Sequence, residues 1–406
     1  MKSKIKLLSD VPINIIIIPV LFVFMFQALI SMFYKNNNLT FYSIHSFHSL
    51  AKADVMAASN WSNLGGNIPG LKEINGFMYP LFVSLLIKIV GKYNIIPVLY
   101  VISFFIFLLI SIVFYKIASY YFENRYNIWA TLIFIISAPI MLSSFSGGDI
   151  VLINLLFILD VYFIYFYVPL KDYKFAILFS FLLLQTNYTG VIYGLTSLFY
   201  IILSMNEKRL REDYNKKILM LFLFFILFCV IFSGYVFIEE LSPDFFEKNV
   251  FFSNKTFFVN TFFKDGFLWS KLIPPFFSIL FFISLYMRYI DEIKERKISF
   301  ITFVLLVSIA AFFMELFAVF SEKTDTLFII TPFFFLLILS GLDGMFYVVE
   351  IINKKNSIFS KENLILGLIL FFILYNIFWT FTFAVEKNND IRYLHNNMYV
   401  ERFFEK

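Results

Sequence analysis

Long apolar segments recur along the whole chain, and they constrain its fold more than any other feature. An α-helix needs about 20 apolar residues to cross roughly 30 Å of hydrocarbon. Together these segments predict an all-α, polytopic membrane protein with a bundle of about eleven transmembrane helices. The predicted spans are Val11–Phe33, Ile95–Tyr115, Ile128–Leu142, Ile150–Val168, Phe175–Leu184, Val191–Leu203, Ile218–Ile238, Leu272–Met287, Phe300–Val319, Leu327–Val349 and Leu364–Val385.

Composition agrees with this fold class. Hydrophobic residues make up 60% of the chain and charged residues 15%, with a mean hydropathy of +0.82, whereas soluble domains average about 45–50% apolar and 25% charged. Because no flexible linker interrupts the pattern, residues 1–406 are predicted to form a single transmembrane domain. The one cysteine, Cys229, excludes an intrachain disulfide. The net charge is +5, and the basic residues lie mostly in short loops, where membrane topology explains them. No nucleic-acid partner is therefore expected.

The distribution of Lys and Arg predicts the orientation. With the amino terminus inside, 19 of the 33 Lys and Arg residues fall in inner loops that total about 63 residues, and 14 fall in about 135 outer residues. This bias predicts a multi-pass protein of the plasma (inner) membrane with a cytoplasmic amino terminus. The first apolar segment is long and has no small-residue cleavage site, so it is interpreted as an anchor. Three outer segments stand out by length: Tyr34–Asn94, Glu239–Lys271 and the tail Glu386–Lys406.

The first outer segment carries the residues most suggestive of chemistry. Asp54 stands in the stretch Ala53–Ala58, which is followed by Asn60, Trp61 and the glycine pair in Leu64–Asn67. The apolar stretch Tyr79–Val90 is only about a dozen residues long, too short to span, and predicts a juxtamembrane helix. A second acid, Asp149, follows Ser143–Gly148 at the outer end of the third predicted span.

Common soluble-enzyme motifs are missing from the sequence. There is no Walker loop, zinc-binding helix motif, nucleophile elbow or dinucleotide fingerprint. His45 and His48 are three residues apart and suit one helix face, but two histidines alone are a weak metal signal.

The order and spacing of these outer motifs resemble the GT-C superfamily of membrane glycosyltransferases, especially family 39 with its protein O-mannosyltransferases and lipid A aminoarabinose transferases. The resemblance covers Val11–Tyr167 and makes residues 1–204 a GT-C-like module, followed by variable spans over residues 205–406. It implies a transferase that takes a sugar from a polyprenyl-phosphate carrier and delivers it to a lipid, glycan or protein acceptor at the outer face. It further implies that Asp54 is the catalytic base or a metal neighbour and that Asp149 supports the same site.

Such a reaction expels an anionic phosphate, which requires cationic or metal stabilisation. Lys323, Lys255 and Lys264 are the candidate cations, and a divalent metal ion is a candidate cofactor. Tyr79 and Glu315 complete the predicted substrate-binding set. The chain departs from family 39 in two places. Val55 follows Asp54 where the family has Glu, and Lys323 stands where relatives carry an Arg, which grips phosphate differently.

Two alternatives remain open from the sequence. A flippase or other transporter of lipid-linked glycans is expected to carry polar groups along a midplane path, whereas the distinctive residues here collect at one face. An O-antigen polymerase or ligase relies on Arg and His of its outer loops, and Arg is absent from Tyr34–Asn94 and Glu239–Lys271.

The predicted orientation is testable by cysteine labelling. A cysteine at Gly65, in the first outer segment, should react with a membrane-impermeant thiol reagent applied outside, whereas one at Asn215, in an inner loop, should not. The opposite labelling pattern would overturn both the orientation and the outer site.

Overall fold

A computed structural model gives the fold of the chain. It describes residues 12–33, 44–60, 78–122, 126–144, 148–207, 214–238, 275–295, 298–321, 326–355 and 361–388. The regular elements in these ranges are helices: α1 (Ile13–Phe33), α2 (Ile44–Ala58), α3 (Met78–Val90), α4 (Ile95–Tyr121), α5 (Tyr126–Ile136), α6 (Ala138–Ser144), α7 (Asp149–Tyr167), α8 (Lys174–Leu184), α9 (Tyr188–Met205), α10 (Tyr214–Ile238), α11 (Pro275–Glu295), α12 (Phe300–Ser321), α13 (Thr326–Lys355) and α14 (Lys361–Asn388). Short 3₁₀ turns lie at Lys92–Asn94 and Val168–Leu170.

The all-helical class predicted from the sequence is confirmed, and the chain has the features of a helical membrane protein. Within the described ranges, five helical segments are long and apolar enough to cross a membrane: Lys92–Tyr121, Asp149–Leu170, Tyr188–Met205, Tyr214–Tyr235 and Thr331–Ile352. Shorter apolar helices overlap the other predicted spans, and the total of eleven spans stays a prediction. Many large apolar side chains lie on the outside of the bundle, as in Leu223, Phe224 and Phe282, each more than half exposed. Such surfaces suit contact with lipid rather than water.

The third predicted span differs from the expectation, because it is broken into α5 and α6 at Ser137. Pro139 follows and has no N–H to continue the helical ladder. The break is satisfied locally: the Ser137 hydroxyl donates to the Phe134 carbonyl at 2.9 Å, and the Met141 N–H donates to the Ser137 carbonyl at 2.9 Å. A backbone in apolar surroundings needs such internal partners.

Buried polar side chains tie helices together inside the bundle. Asp160 of α7 accepts the Ser180 hydroxyl of α8 at 3.3 and 3.4 Å, and both residues are buried. Near the opposite end of the bundle from α2 and α3, Arg288 of α11 binds both carboxylate oxygens of Asp343 in α13 at 2.7 and 2.5 Å. Ser284 donates to the same carboxylate at 2.7 Å. The Arg288 guanidinium also lies 4.7 Å from the ring centroid of Tyr121 at the end of α4. These contacts fix α4, α11 and α13 against one another.

Helices α11 and α13 approach each other so closely that only glycine fits at residue 344. A Cβ built at Gly344 would lie 1.9 Å from the carbonyl oxygen of Leu280, and that oxygen belongs to backbone that has no rotamer to change. The close approach brings Asp343, the residue before Gly344, within reach of the α11 side chains of Ser284 and Arg288.

Gly344→Ala should therefore destabilise the protein by about 1–3 kcal/mol, the usual cost of overpacking. Gly367→Ala in α14 is the matched control, because a Cβ there meets nothing within 4 Å, and alanine gains up to about 1 kcal/mol of helix propensity. Thermal unfolding of both variants in detergent measures the difference. Equal midpoints for the two variants would contradict the close α11–α13 approach.

Candidate functional site

Helices α2 and α3 form an antiparallel pair that covers one end of the bundle. The pairing order shows the direction: Asn60 contacts Lys88, and Asp54 contacts Lys92. Their apolar sides meet the starts of α4 and α7 in a separate cluster, here called the outer cluster after the side of the membrane that the sequence predicts for it. Its buried members are Leu50, Ala53, Ala57, Tyr79, Val83, Ile87, Ile95 and Leu99, with Leu152 of α7 packed against them. The segment predicted to be a juxtamembrane helix, Tyr79–Val90, is thus helical in α3.

Asp54 forms an ion pair with Lys92 at the open side of this helix pair. The distance from Lys92 Nζ to Asp54 Oδ2 is 2.9 Å, and the two side chains are 31% and 20% exposed. A turn at Gly91 between α3 and α4 sets the position of Lys92. Gly91 has φ +82°, a conformation that L side chains rarely adopt, and its N–H donates to the Ile87 carbonyl at 2.9 Å. The carboxylate and the ammonium group are therefore adjacent and both accessible.

Two more lysines lie on the same helix pair. Lys88, one turn before Lys92, donates to Asn60 Oδ1 at 2.5 Å. Lys52 lies two residues before Asp54 in α2, and partial burial lowers the pKa of its ammonium group. Sequence reasoning sought the cations elsewhere and missed these three. Lys88 and Lys92 are four residues apart at the end of a short apolar helix. This spacing was the sequence signal that could have identified them as candidate cations.

Asp149 lies at the start of α7 and is buried, with 4% of its surface exposed. The side-chain amide of Asn187 donates to Asp149 Oδ2 at 2.6 Å. Asn187 also caps α9, since its Oδ1 accepts the Gly190 N–H at 3.2 Å. One amide side chain thus joins the beginnings of α7 and α9. An acid in the first turn of α7 is favoured by the helix dipole as well.

The loop that contains Asn187 also holds α3. The Met78 N–H at the start of α3 donates to the Gln185 carbonyl, two residues before Asn187, at 2.9 Å. Asp54, by contrast, binds Lys92 just beyond the other end of α3. The 13 residues of α3 span about 20 Å at 1.5 Å per residue. The two acids form two polar pairs along the outer layer, and their meeting around one substrate stays a prediction.

The other predicted site residues lie in different parts of the protein, and some lie outside the described residues. Tyr79 is 4% exposed within the outer cluster, where its ring packs, and its assignment to substrate binding stays a prediction. Glu315 of α12 is 3% exposed and lines a cavity with residues of α10 and α11, none of which belongs to the α2–α3 pair. Lys323, Lys255 and Lys264 lie outside the described residues, as do the side chains of His45 and His48. Among the side chains that are described, no group of three or more His, Cys, Asp or Glu residues is placed to hold a metal ion.

Comparison with known proteins adds no relative to this picture. No family model, no curated protein and no solved structure matches the chain.

The Asp149–Asn187 contact is testable by exchanging its two members. Asn187→Asp keeps an oxygen to cap α9 but replaces the donor with a second acid, so we expect a loss of about 1.5–3 kcal/mol from a hydrogen bond to a charged group. Asp149→Asn combined with Asn187→Asp restores one acid and one amide and should recover most of that loss. Thermal unfolding is the measurement. Asn94→Asp is the control, because the Asn94 amide is exposed and bonds only the Val90 carbonyl of its own turn.

If the exchanged pair were no more stable than Asn187→Asp alone, the contact would not join α7 to α9. A large loss in the Asn94→Asp control would show instead that any added acid in this layer is harmful.

Proposed function

We propose that the protein is a membrane glycosyltransferase that moves a sugar from a polyprenyl-phosphate carrier to an acceptor hydroxyl or amine at the outer face of the plasma membrane. In this proposal the chain crosses the membrane eleven times with a cytoplasmic amino terminus, and α2 and α3 lie on the outer side. The resemblance of the outer motifs to the GT-C superfamily supports the reaction class. The Asp54–Lys92 pair is the observation that carries the proposal, because it joins the two kinds of group that the reaction needs.

The chemistry requires a base and a cation close together. The acceptor oxygen or nitrogen forms a bond to the anomeric carbon while the bond from that carbon to the phosphate oxygen breaks, with inversion. Asp54 takes the acceptor proton, and polyprenyl phosphate leaves with the bonding electron pair. Lys92, 2.9 Å from Asp54, provides positive charge for the departing phosphate. Lys52 and Lys88 add charge to the same helix pair.

The Asp54–Lys92 ion pair contributes little to the stability of the fold. Ion pairs with this degree of exposure contribute about 0–1 kcal/mol, so replacing either member should leave the fold intact. Lys92 is accessible to an anionic ligand, since 31% of its side chain is exposed. Lipid-linked donors present their phosphate at the membrane surface, which is where this pair lies in the proposed topology.

Asp149 has a different role in this proposal. Its carboxylate is buried and bound to Asn187, which suits a residue that fixes the outer ends of α7 and α9. It supports the site by position and touches no substrate. A divalent metal ion would add charge at the phosphate, and the family resemblance is its only support.

Replacement of Asp54 by Asn tests the proposed base. The amide keeps the shape of the side chain but cannot take the acceptor proton, so transfer should fall by about 10²-fold or more. The assay uses vesicles with the full-length protein, supplied with undecaprenyl phosphate linked to radiolabelled glucose, mannose or aminoarabinose. It measures release of undecaprenyl phosphate and transfer of label to an acceptor. Asp172→Asn, an exposed acid after α7, is the matched control and should transfer normally.

Replacement of Lys92 by Met tests the cation in the same vesicles. We expect transfer to fall while the thermal midpoint stays near that of the parent protein, because the ion pair contributes about 0–1 kcal/mol. Lys174→Met, at an exposed lysine of α8, is the control. Transfer at the parental rate in both Asp54→Asn and Lys92→Met would remove the proposed site. Movement of intact labelled donor across the bilayer without release of undecaprenyl phosphate would favour the flippase alternative.

A further inference from the structure

A large cavity lies between α10, α11 and α12, and none of its lining residues belongs to the site proposed above. Its volume is about 840 Å³, within the range of pockets that hold small-molecule ligands. Apolar and aromatic side chains form nearly all of its wall, among them Ile218, Phe222, Phe281, Leu285 and Ile309. The lining residues of α10 run from Tyr214 to Ile226, which is about 18 Å of helix at 1.5 Å per residue. The shape suits a single hydrocarbon chain.

Glu315 is the one Asp, Glu, Lys, Arg or His among the described residues that line this cavity. Its side chain is 3% exposed, and its Oε1 has no hydrogen-bond partner among the described residues. A buried carboxyl oxygen without a partner is unfavourable, and an ionisable group at membrane depth marks a functional site by default. A ligand that donates a hydrogen bond to Oε1 would satisfy it. The remaining polar residues that line the cavity are Tyr214, Asn215, Tyr286, Tyr289 and Ser308.

The charge of the wall restricts the ligand further. No Lys or Arg is among the described residues that line the cavity, so an anionic phosphate at Glu315 would face a carboxyl group with no counter-charge from these residues in a poorly solvated site. A neutral hydroxyl or a cationic ammonium group meets no such penalty. This cavity therefore does not fit the phosphate of a lipid-linked sugar donor.

We propose that the cavity between α10, α11 and α12 binds a single-chain lipid whose hydroxyl or ammonium group donates a hydrogen bond to Glu315. The hydrocarbon chain extends from Glu315 along α12 past Ser308 toward Tyr214 and Tyr289. Helices α10 and α12 bury this chain on two sides, and α11 closes the third. This binding site stands independently of the proposed sugar transfer.

Photolabelling of the full-length protein in phosphatidylcholine nanodiscs tests the proposal. Three reagents carry the same mid-chain diazirine and differ only in the head group: a hexadecanol, a hexadecylamine and a hexadecyl phosphate. We expect the alcohol or the amine to label peptides from residues 214–226, 281–289 and 305–313, and the phosphate to label them about tenfold less. Equal labelling by the phosphate, or labelling spread over the exposed faces of α14, would overturn the proposal.

Glu315→Gln separates the two head groups. The amide oxygen still accepts from a hydroxyl, so labelling by the alcohol should change little. The amine loses its charged partner, so its labelling should fall about tenfold or more, as expected for a hydrogen bond to a charged group. If the amine labelled the parent protein and Glu315→Gln equally strongly, Glu315 would not recognise the ligand and the proposal would fail.

Filling the cavity tests the position of the chain. Ser308→Trp and Ala311→Phe both enlarge a small residue of α12 that lines the cavity, and each should reduce labelling about tenfold, because no free volume remains for the chain. Leu370→Trp, at an exposed position of α14, is the control and should label normally. Normal labelling in both filled variants would overturn the proposal. Should neither variant elute as a folded protein, the comparison of head groups on the parent protein decides.

Discussion

The backbone of this chain has to find its hydrogen-bond partners within the protein, and the rest of the structure follows from that constraint. In apolar surroundings an unpaired N–H or C=O costs several kcal/mol, so helices are the favoured element. Where a helix ends, its unpaired backbone groups therefore need hydrogen-bond partners outside the regular helical pattern. At Ser137 the partners are local, through Phe134 and Met141. At the α8–α9 turn they come from farther along the chain, since Gln185 accepts the first N–H of α3.

That turn links the features of the outer layer. Gln185 holds the start of α3, and Asn187 caps α9 and binds Asp149 at the start of α7. Three helix beginnings thus converge on two residues of this turn, Gln185 and Asn187. The partly exposed groups are placed differently, beyond the other end of α3, where the Gly91 turn sets Lys92 against Asp54. The layer combines a buried polar junction with a partly exposed ion pair, so the contacts that fix the helices and the charged groups that solvent reaches belong to different residues.

The sequence predicted the elements well because each depends on local pattern. Apolar length predicted the long helices, and a dozen apolar residues at Tyr79–Val90 predicted the short α3, since neither inference needs a distant partner. The pairs were not predictable in the same way. Asp54 and Lys92 are 38 residues apart, as are Asp149 and Asn187, and no periodicity connects residues at that separation. The position of Glu315 along its predicted span suggested that it lies near an outer site. Only the packing of α12 against α10 and α11 shows the cavity that it lines.

Charge is segregated between these regions, and the segregation has a physical reason. The α2–α3 pair carries Lys52, Lys88 and Lys92; Lys88 is exposed and Lys92 partly exposed, so solvent screens these two and an anion can approach them at little cost. No basic residue is among the described residues that line the α10–α12 cavity, and in a poorly solvated space the interaction of a carboxyl group with a charged ligand is stronger than in water. Arg288 lies on α11 but is not among the residues that line the cavity. It binds Asp343, which also accepts the Ser284 hydroxyl, and its guanidinium lies over the ring of Tyr121. Because Asp343 pairs with this guanidinium, the ion pair that joins α11 to α13 is consistent with the proposed lipid site, in which Glu315 has no basic neighbour among the described residues of the wall.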